Sequence, residues 1–162
     1  MTTYDTLDEA TIAATPAEIV GALLEEAAGR SEWWQPFLLM RQRGDAPPTE
    51  PGAVIDFTVN GEGLAGRAGS VHFAGRVTAY ELDRRLVLEY FAGDFRGTSE
   101  WTLEPAGPDR THIAVRWMTD PRGRLRFLAR LVDVAGINSK VMQEGFAAME
   151  RFAVGRRAGS EA

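Results

Sequence analysis

Two histidines, His72 and His112, are the only side chains in this 162-residue chain whose ordinary pKa lies near neutrality. They are the first candidates for acid–base chemistry. Val71 and Phe73 flank His72, and Thr111 and Ile113 flank His112. Successive side chains of an extended chain alternate between faces, so both histidines are predicted on the outer face of a sheet. A surface role fits that placement better than catalysis. The chain has no cysteine, which excludes a disulfide, a thiolate nucleophile and a cysteine metal site. The carboxylates are scattered, so neither a metal site nor a Ser-His-Asp arrangement is expected. Residues 61–66, Gly-Glu-Gly-Leu-Ala-Gly, match the dinucleotide-binding pattern letter for letter. That pattern needs a helix next, because its N-terminus takes the pyrophosphate. An alternating strand follows instead, so the stretch reads as an inter-strand loop and no cofactor is expected.

The aromatic side chains say more. Trp34, Phe57, Phe73, Tyr90, Trp101 and Trp117, with Met142, Phe146 and Met149, could line an apolar cavity. Ser99 shares a face with Trp101 and would add a polar handle. Each residue taken alone could simply fill a core. Together they point to a pocket, because one helix against a curved sheet leaves a gap. Gly145 and Ala135, if either faces that gap, are the positions at which a larger side chain would fill it. Four arginines, Arg122, Arg124, Arg126 and Arg130, crowd one short segment. On a helix, Arg122, Arg126 and Arg130 form one stripe, with Phe127 and Leu131 together on another side. Positive charge at a helix start opposes its dipole, so local stability does not explain the cluster. A solvated face is the simplest reading; an anionic headgroup, a membrane surface and a dimer contact are the alternatives.

These residues need elements to hold them. The longest is a helix predicted over 120–157, with Asp120 as cap and Pro121 at the first helical position. Met142, Gly145, Phe146, Met149, Phe152 and Ala153 share one face of it, opposite Gln143, Glu144, Glu150 and Arg151. Gly136 predicts a kink, since glycine has poor helix propensity. At the other end, 7–15 reads as a first strand. Thr15, Pro16 and Glu18 give a capping-box helix start, with Ile19, Ala22, Leu23 and Ala27 as its buried stripe and Gly29 as its end. A second short helix is predicted over 31–36, cut off by Pro36, and a strand over 37–43. After a Pro- and Gly-rich loop come strands at 53–60, 70–82, 85–91, 98–104 and 110–118. Their short polar turns imply antiparallel pairing. Val71, Phe73 and Val77 should be buried, and His72, Arg76 and Thr78 exposed.

The length suits a single domain, 1–157, followed by a disordered tail over 158–162. The formal charge of −5 argues against a nucleic-acid surface spread over the protein. No segment approaches the roughly 20 apolar residues of a membrane span. The first ten residues carry Asp5, Asp8 and Glu9 and show no apolar run, so a cytoplasmic protein is expected.

The order of elements resembles the helix-grip fold of the SRPBCC superfamily, which includes START lipid-transfer domains, birch-pollen allergens and aromatase/cyclases. Trp33-Trp34-Gln35-Pro36, Gly75-Arg76-Val77-Thr78, and Gly93-Asp94-Phe95-Arg96-Gly97 followed by Trp101 are similar to bacterial polyketide cyclase/dehydrase-like proteins. So is Val141-Met142-Gln143-Glu144-Gly145. The resemblance covers about residues 8–152. It implies an α+β protein, with a curved antiparallel sheet wrapped around a long C-terminal helix and two short helices after the first strand. That scaffold supports transport, sensing and catalysis alike. The leading expectation is a carrier or sensor of a small hydrophobic or aromatic molecule, without nucleic acid or stable membrane insertion, and with a homodimer as an option. A polyketide cyclase or aromatase, closing rings by aldol addition and dehydration, comes second, and a regulatory partner protein with a vestigial cavity third. Cyclisation needs shape plus one or two proton-transfer groups. The enzyme reading therefore requires Tyr90, Asp56 or Arg116 to face the cavity.

Overall fold

The structure, a computed structural model, describes residues 3–60 and 70–161. The Gly-rich loop expected at 61–66 lies outside the described residues. The described chain runs β1 (Tyr4–Ile12), α1 (Pro16–Ala27), β2 (Leu38–Arg43), β3 (Val54–Val59), β4 (Val71–Glu81) and β5 (Arg85–Gly93). It continues through β6 (Phe95–Pro105), β7 (Thr111–Pro121), α2 (Arg124–Leu128) and α3 (Val134–Glu161). The seven strands form one antiparallel sheet in the order β1-β7-β6-β5-β4-β3-β2. The chain is thus the expected α+β meander with a long C-terminal helix.

Alternation sets the faces. In β4, Val71, Phe73 and Val77 are buried while His72, Arg76 and Thr78 are exposed. The β4–β5 register shifts twice, between Ala74 and Gly75 and between Val77 and Ala79. Such bulges bend a strand and increase its twist, which helps the sheet curve over the helix. The β5–β6 corner needs its glycines: Gly93 and Gly97 both hold positive φ, and a Cβ on either would overlap the backbone of β4 or β7. Asp94 between them closes on His72, its amide donating to the His72 carbonyl at 2.8 Å and its carboxylate accepting from the His72 amide at 2.8 Å.

The capping box of α1 is present, Thr15 accepting from the Glu18 amide and Glu18 from the Thr15 amide. Its buried stripe is Ile19, Ala22, Leu23 and Ala27, with Glu26 added. The long helix starts later than predicted. Residues 111–119 pair with β1 and 111–121 with β6, so Asp120 and Pro121 end a strand. The Asp120 carboxylate accepts from Thr3, its amide at 2.6 Å and its hydroxyl at 2.5 Å, and caps no helix. The five-residue α2 follows, then a break at 129–133. Gly136 produces no kink: it lies in the first turn of α3, and its amide donates to the Asp133 side chain at 3.0 Å. First-turn amides lack an intrahelical partner, and Asp133 supplies one. The chain therefore breaks before the cap and not at the glycine. Three smaller corrections follow. The first strand is Tyr4–Ile12 and not 7–15, because β7 pairs with it along its whole length. Residues 33–37 form turns, not a second helix, and the indole N–H groups of Trp33 and Trp34 hold them. Residues 158–161, expected as tail, continue α3.

α3 lies along β1, with the Gln143 amide donating to the Glu9 carbonyl at 3.2 Å and Glu150 accepting from the Ala13 amide at 2.6 Å. Its inner face buries Val141, Met142, Phe146, Met149 and Ala153. Each large side chain so buried contributes about 1.5–3 kcal/mol of hydrophobic stabilisation.

Glu26 is the costly group in this packing. It is 0% exposed, and neither carboxylate oxygen makes a full hydrogen bond. Burial pushes its carboxyl up to about 7 from 4.5, against the opposing pull of Arg41 at 4.0 Å and weaker help from the Trp33 and Met40 amides. The folded protein keeps a proton here that the unfolded chain has lost above pH 4.5. The stabilisation is complete below that pH and fades as pH rises through about 7. Glu26→Gln stays neutral throughout, so it should gain on wild type by on the order of 2 kcal/mol between about pH 5 and about pH 8, measured by urea denaturation. A constant difference across that range would contradict a buried carboxyl that titrates there.

Candidate functional site

The cavity lies between the sheet and the first half of α3. Cross-strand partners Phe57 and Phe73 stack at 5.1 Å. Phe73 meets Tyr90 edge-on at 5.1 Å and Phe95 at 5.3 Å, and Phe95 meets Trp117 at 5.0 Å. Edge-to-face rings at these spacings attract beyond the area they bury, so the wall is one connected aromatic surface. Val134, Ile137, Asn138, Val141 and Met142 of α3 face it, and Leu125 of α2 closes one side. The cavity is about 60 Å³ and partly open to solvent.

Seven of the residues singled out from sequence line this space: Trp34, Phe57, Phe73, Tyr90, Trp101, Trp117 and Met142. Three are buried elsewhere. Phe146 and Met149 pack further along α3, and Ser99 lies behind Tyr90. Phe95, which falls between the strands expected at 85–91 and 98–104, and Asn138 were not among the residues singled out from sequence. The sequence reading could have found Val71 and Val115, which are in phase with Phe73 and Trp117. Leu125 carried no local signal, because its helix was not resolved from the longer one.

The polar groups divide clearly. His72 is exposed with Nδ1 at 3.2 Å from the Thr58 hydroxyl; His112 sits outside with Glu9 at 3.1 Å and Thr11 at 3.3 Å. Asp56 pairs with Arg43 at 2.6 Å and Arg116 with Asp5 at 2.8 Å, both on the outer face. Only Tyr90, of the three groups the enzyme reading needs, faces the cavity. Its hydroxyl donates to the Ser99 hydroxyl at 2.9 Å. Burial pushes its pKa up to about 12, although hydrogen bonds with Ser99 and Trp117 act the other way. At neutral pH it is a phenol with its proton committed.

A second polar feature runs along one edge. Thr6 is the cross-strand partner of Trp117, Asp8 of Val115 and Thr119 of Tyr4. Directly opposed residues on one face sit about 5 Å apart, so Thr6 and Asp8 lie beside two cavity-lining side chains. The Thr6 and Thr119 hydroxyls, Asp8 Oδ2 and Asn138 Nδ2 are buried without a protein hydrogen-bond partner. Of these only Asn138 lines the cavity itself, so the wall is apolar over most of its area, with Asn138 and Tyr90 as its polar groups. The arginine stripe lies outside it: Arg122, Arg126 and Arg130 border an open groove with Thr3, Tyr4 and Asp120.

Trp34 determines where the cavity stops. Its indole N–H donates to the Val141 carbonyl at 3.0 Å, and a Cβ added at Gly145 would overlap its ring. Gly145 therefore faces a tryptophan and not a void, and it cannot serve as a filling position. Gly145→Ala should cost about 1–3 kcal/mol through forced displacement. Gly155→Ala on the same helix, with open space around it, should gain up to about 1 kcal/mol from helix propensity alone. Urea denaturation of both variants checks the contrast; equal effects would show that Trp34 does not constrain the helix.

No family model matches the sequence, and no curated protein matches it. Solved structures do resemble it. The Zhui aromatase/cyclase from Streptomyces sp. R1128 is similar with TM-score 0.69 and 11% identity, over 94% of each chain. A START superfamily protein from Mycobacterium smegmatis gives TM-score 0.58 and 16% identity over 88% of this chain and 97% of that one. Ara h 8.0201 gives 0.61 and 14% over 94% and 98%. These likenesses run nearly end to end, and the aromatic cavity under α3 lies within the shared architecture. The chain has the fold of these structures, a helix-grip arrangement of a curved antiparallel sheet and a long C-terminal helix.

Proposed function

We propose that this protein binds a small hydrophobic or aromatic molecule between its sheet and α3, as a carrier or a sensor. The observation that carries this reading is the cavity wall, which is built from connected aromatic rings and holds one unpartnered polar side chain, Asn138. Such a wall suits a planar apolar guest with one polar substituent. The space of about 60 Å³ is small, given that a cavity of roughly 150 Å³ is what accommodates benzene. Uptake therefore requires the wall to open. Met142 can adapt, because its flexible thioether repacks at little cost, and the short α2 with its following break is the wall element with the least structure around it.

The second reading is a polyketide cyclase-type enzyme with Tyr90 as proton donor, favoured by the one ionisable side chain on the cavity wall. General acid–base groups work best with a pKa near the operating pH. A phenol pushed up to about 12 and already donating to Ser99 is poorly matched to that work. Binding ranks ahead of catalysis for this reason.

Titration with a naphthalene-based fluorescent probe tests the proposal. Val71→Phe adds volume to the wall and should weaken probe affinity by about tenfold while shifting the melting temperature by only a few degrees. His72→Ala, one residue away but on the outer face, should leave affinity unchanged. A wild type that takes up no probe, together with a Val71→Phe variant that loses stability, would establish a filled core and end the ligand reading.

A further inference from the structure

We propose that the α2 segment docks this protein onto an anionic lipid surface. Phe127 and Leu131, four residues apart, are 72% and 79% exposed. The other large apolar side chains exposed among the described residues, Leu7, Leu82 and Val154, stand singly on distant elements. Arg122, Arg124 and Arg126 precede the pair in sequence and Arg130 lies between its members, and none of the four forms an ion pair with a described carboxylate. By contrast, Arg30, Arg43, Arg85 and Arg116 all have acidic partners. The two acids nearby are engaged with backbone: Asp120 accepts from Thr3, and Asp133 accepts from the Gly136 amide. Unneutralised positive charge is thus concentrated on one short segment of a chain whose net charge is −5.

Protruding apolar side chains on a segment rich in cations suit a fluid anionic interface. The apolar groups settle below the headgroups while the arginines stay level with the phosphates. Each such charge strengthens attraction to an anionic leaflet by roughly fivefold. A protein partner would need a pocket shaped for both knobs; a bilayer moulds around them. No helix among the described residues is long and apolar enough to cross a membrane, so this contact is peripheral. The inner side of the same segment sends Leu125, 3% exposed, into the cavity wall. Docking would place that wall at a store of apolar molecules. This last step rests on the ligand reading, whereas docking itself does not.

Co-sedimentation with phosphatidylcholine vesicles, with or without about one-third phosphatidylglycerol, tests the surface. The protein should partition onto the anionic vesicles only, and about tenfold less at high salt. The double variant Phe127→Ser with Leu131→Ser should lose about tenfold in partitioning. Its melting temperature should hold, because both side chains are already in water. Replacing Arg124, Arg126 and Arg130 with Gln should remove the preference for anionic vesicles. No partitioning, or unchanged partitioning of the double variant, overturns the proposal. So does a wild-type dimer that the double variant converts to monomer, since the surface would then belong to a second copy. Vesicle binding that persists while the cavity probe binds nowhere would leave docking standing and remove only the ligand reading.

Discussion

The contact between Trp34 and the backbone of α3 at Gly145 is the constraint on which the rest of the structure depends. The indole fits there because Gly145 has no side chain, and its N–H reaches the Val141 carbonyl at 3.0 Å. Trp33 stacks on it at 5.3 Å and anchors to the Ala22 carbonyl of α1 at 2.8 Å. Trp101 of β6 meets it edge-on at 6.1 Å. One pair of tryptophans thus joins both long helices to the sheet. A buried indole contributes both a large apolar area and a directional donor, so it fixes position as well as adding stability. Beyond this contact α3 is packed tightly through Phe146 and Met149; before it, the helix stands away from the sheet and the cavity begins.

That division makes the two halves of the molecule physically different. The Phe146 and Met149 half is a filled core, where added volume has no room. The Asn138 and Val141 half has spare space, unpartnered polar atoms along β1, and a short helix at its side. Asn138 stands among the apolar rings there with its amide nitrogen unpartnered, and a polar group buried without a hydrogen bond is costly. The outer sheet face carries ion pairs and both histidines, and it takes no part in the cavity.

α2 links the cavity to the surface. Leu125 faces in, Phe127 and Leu131 are exposed, and four arginines lie on the same stretch of chain. Five helical residues without a side-chain cap have little stability of their own. Their position is set by what they pack against, so whatever contacts the outer side bears on the inner side as well.

Local rules made much of this legible in the sequence. The Thr15–Glu18 capping box needs only neighbours in the chain, and it is present. The alternation of β4 put His72 outside and Phe73 inside without knowledge of the fold. The resemblance of whole motifs identified the helix-grip architecture. Tertiary structure decided the rest, wherever two local rules competed or a partner lay far along the chain. Asp120-Pro121 has the form of a helix start, yet pairing with β6 and the bonds from Thr3 to the Asp120 carboxylate keep it at the end of a strand, because these partners outweigh one cap. Gly136 looked like a break until Asp133 supplied its amide with a partner. Met142, Phe146 and Met149 share one helical face, but periodicity reports only that a face is buried, not what stands opposite. Trp34, more than a hundred residues away in sequence, divides that face into a cavity wall and a packed core.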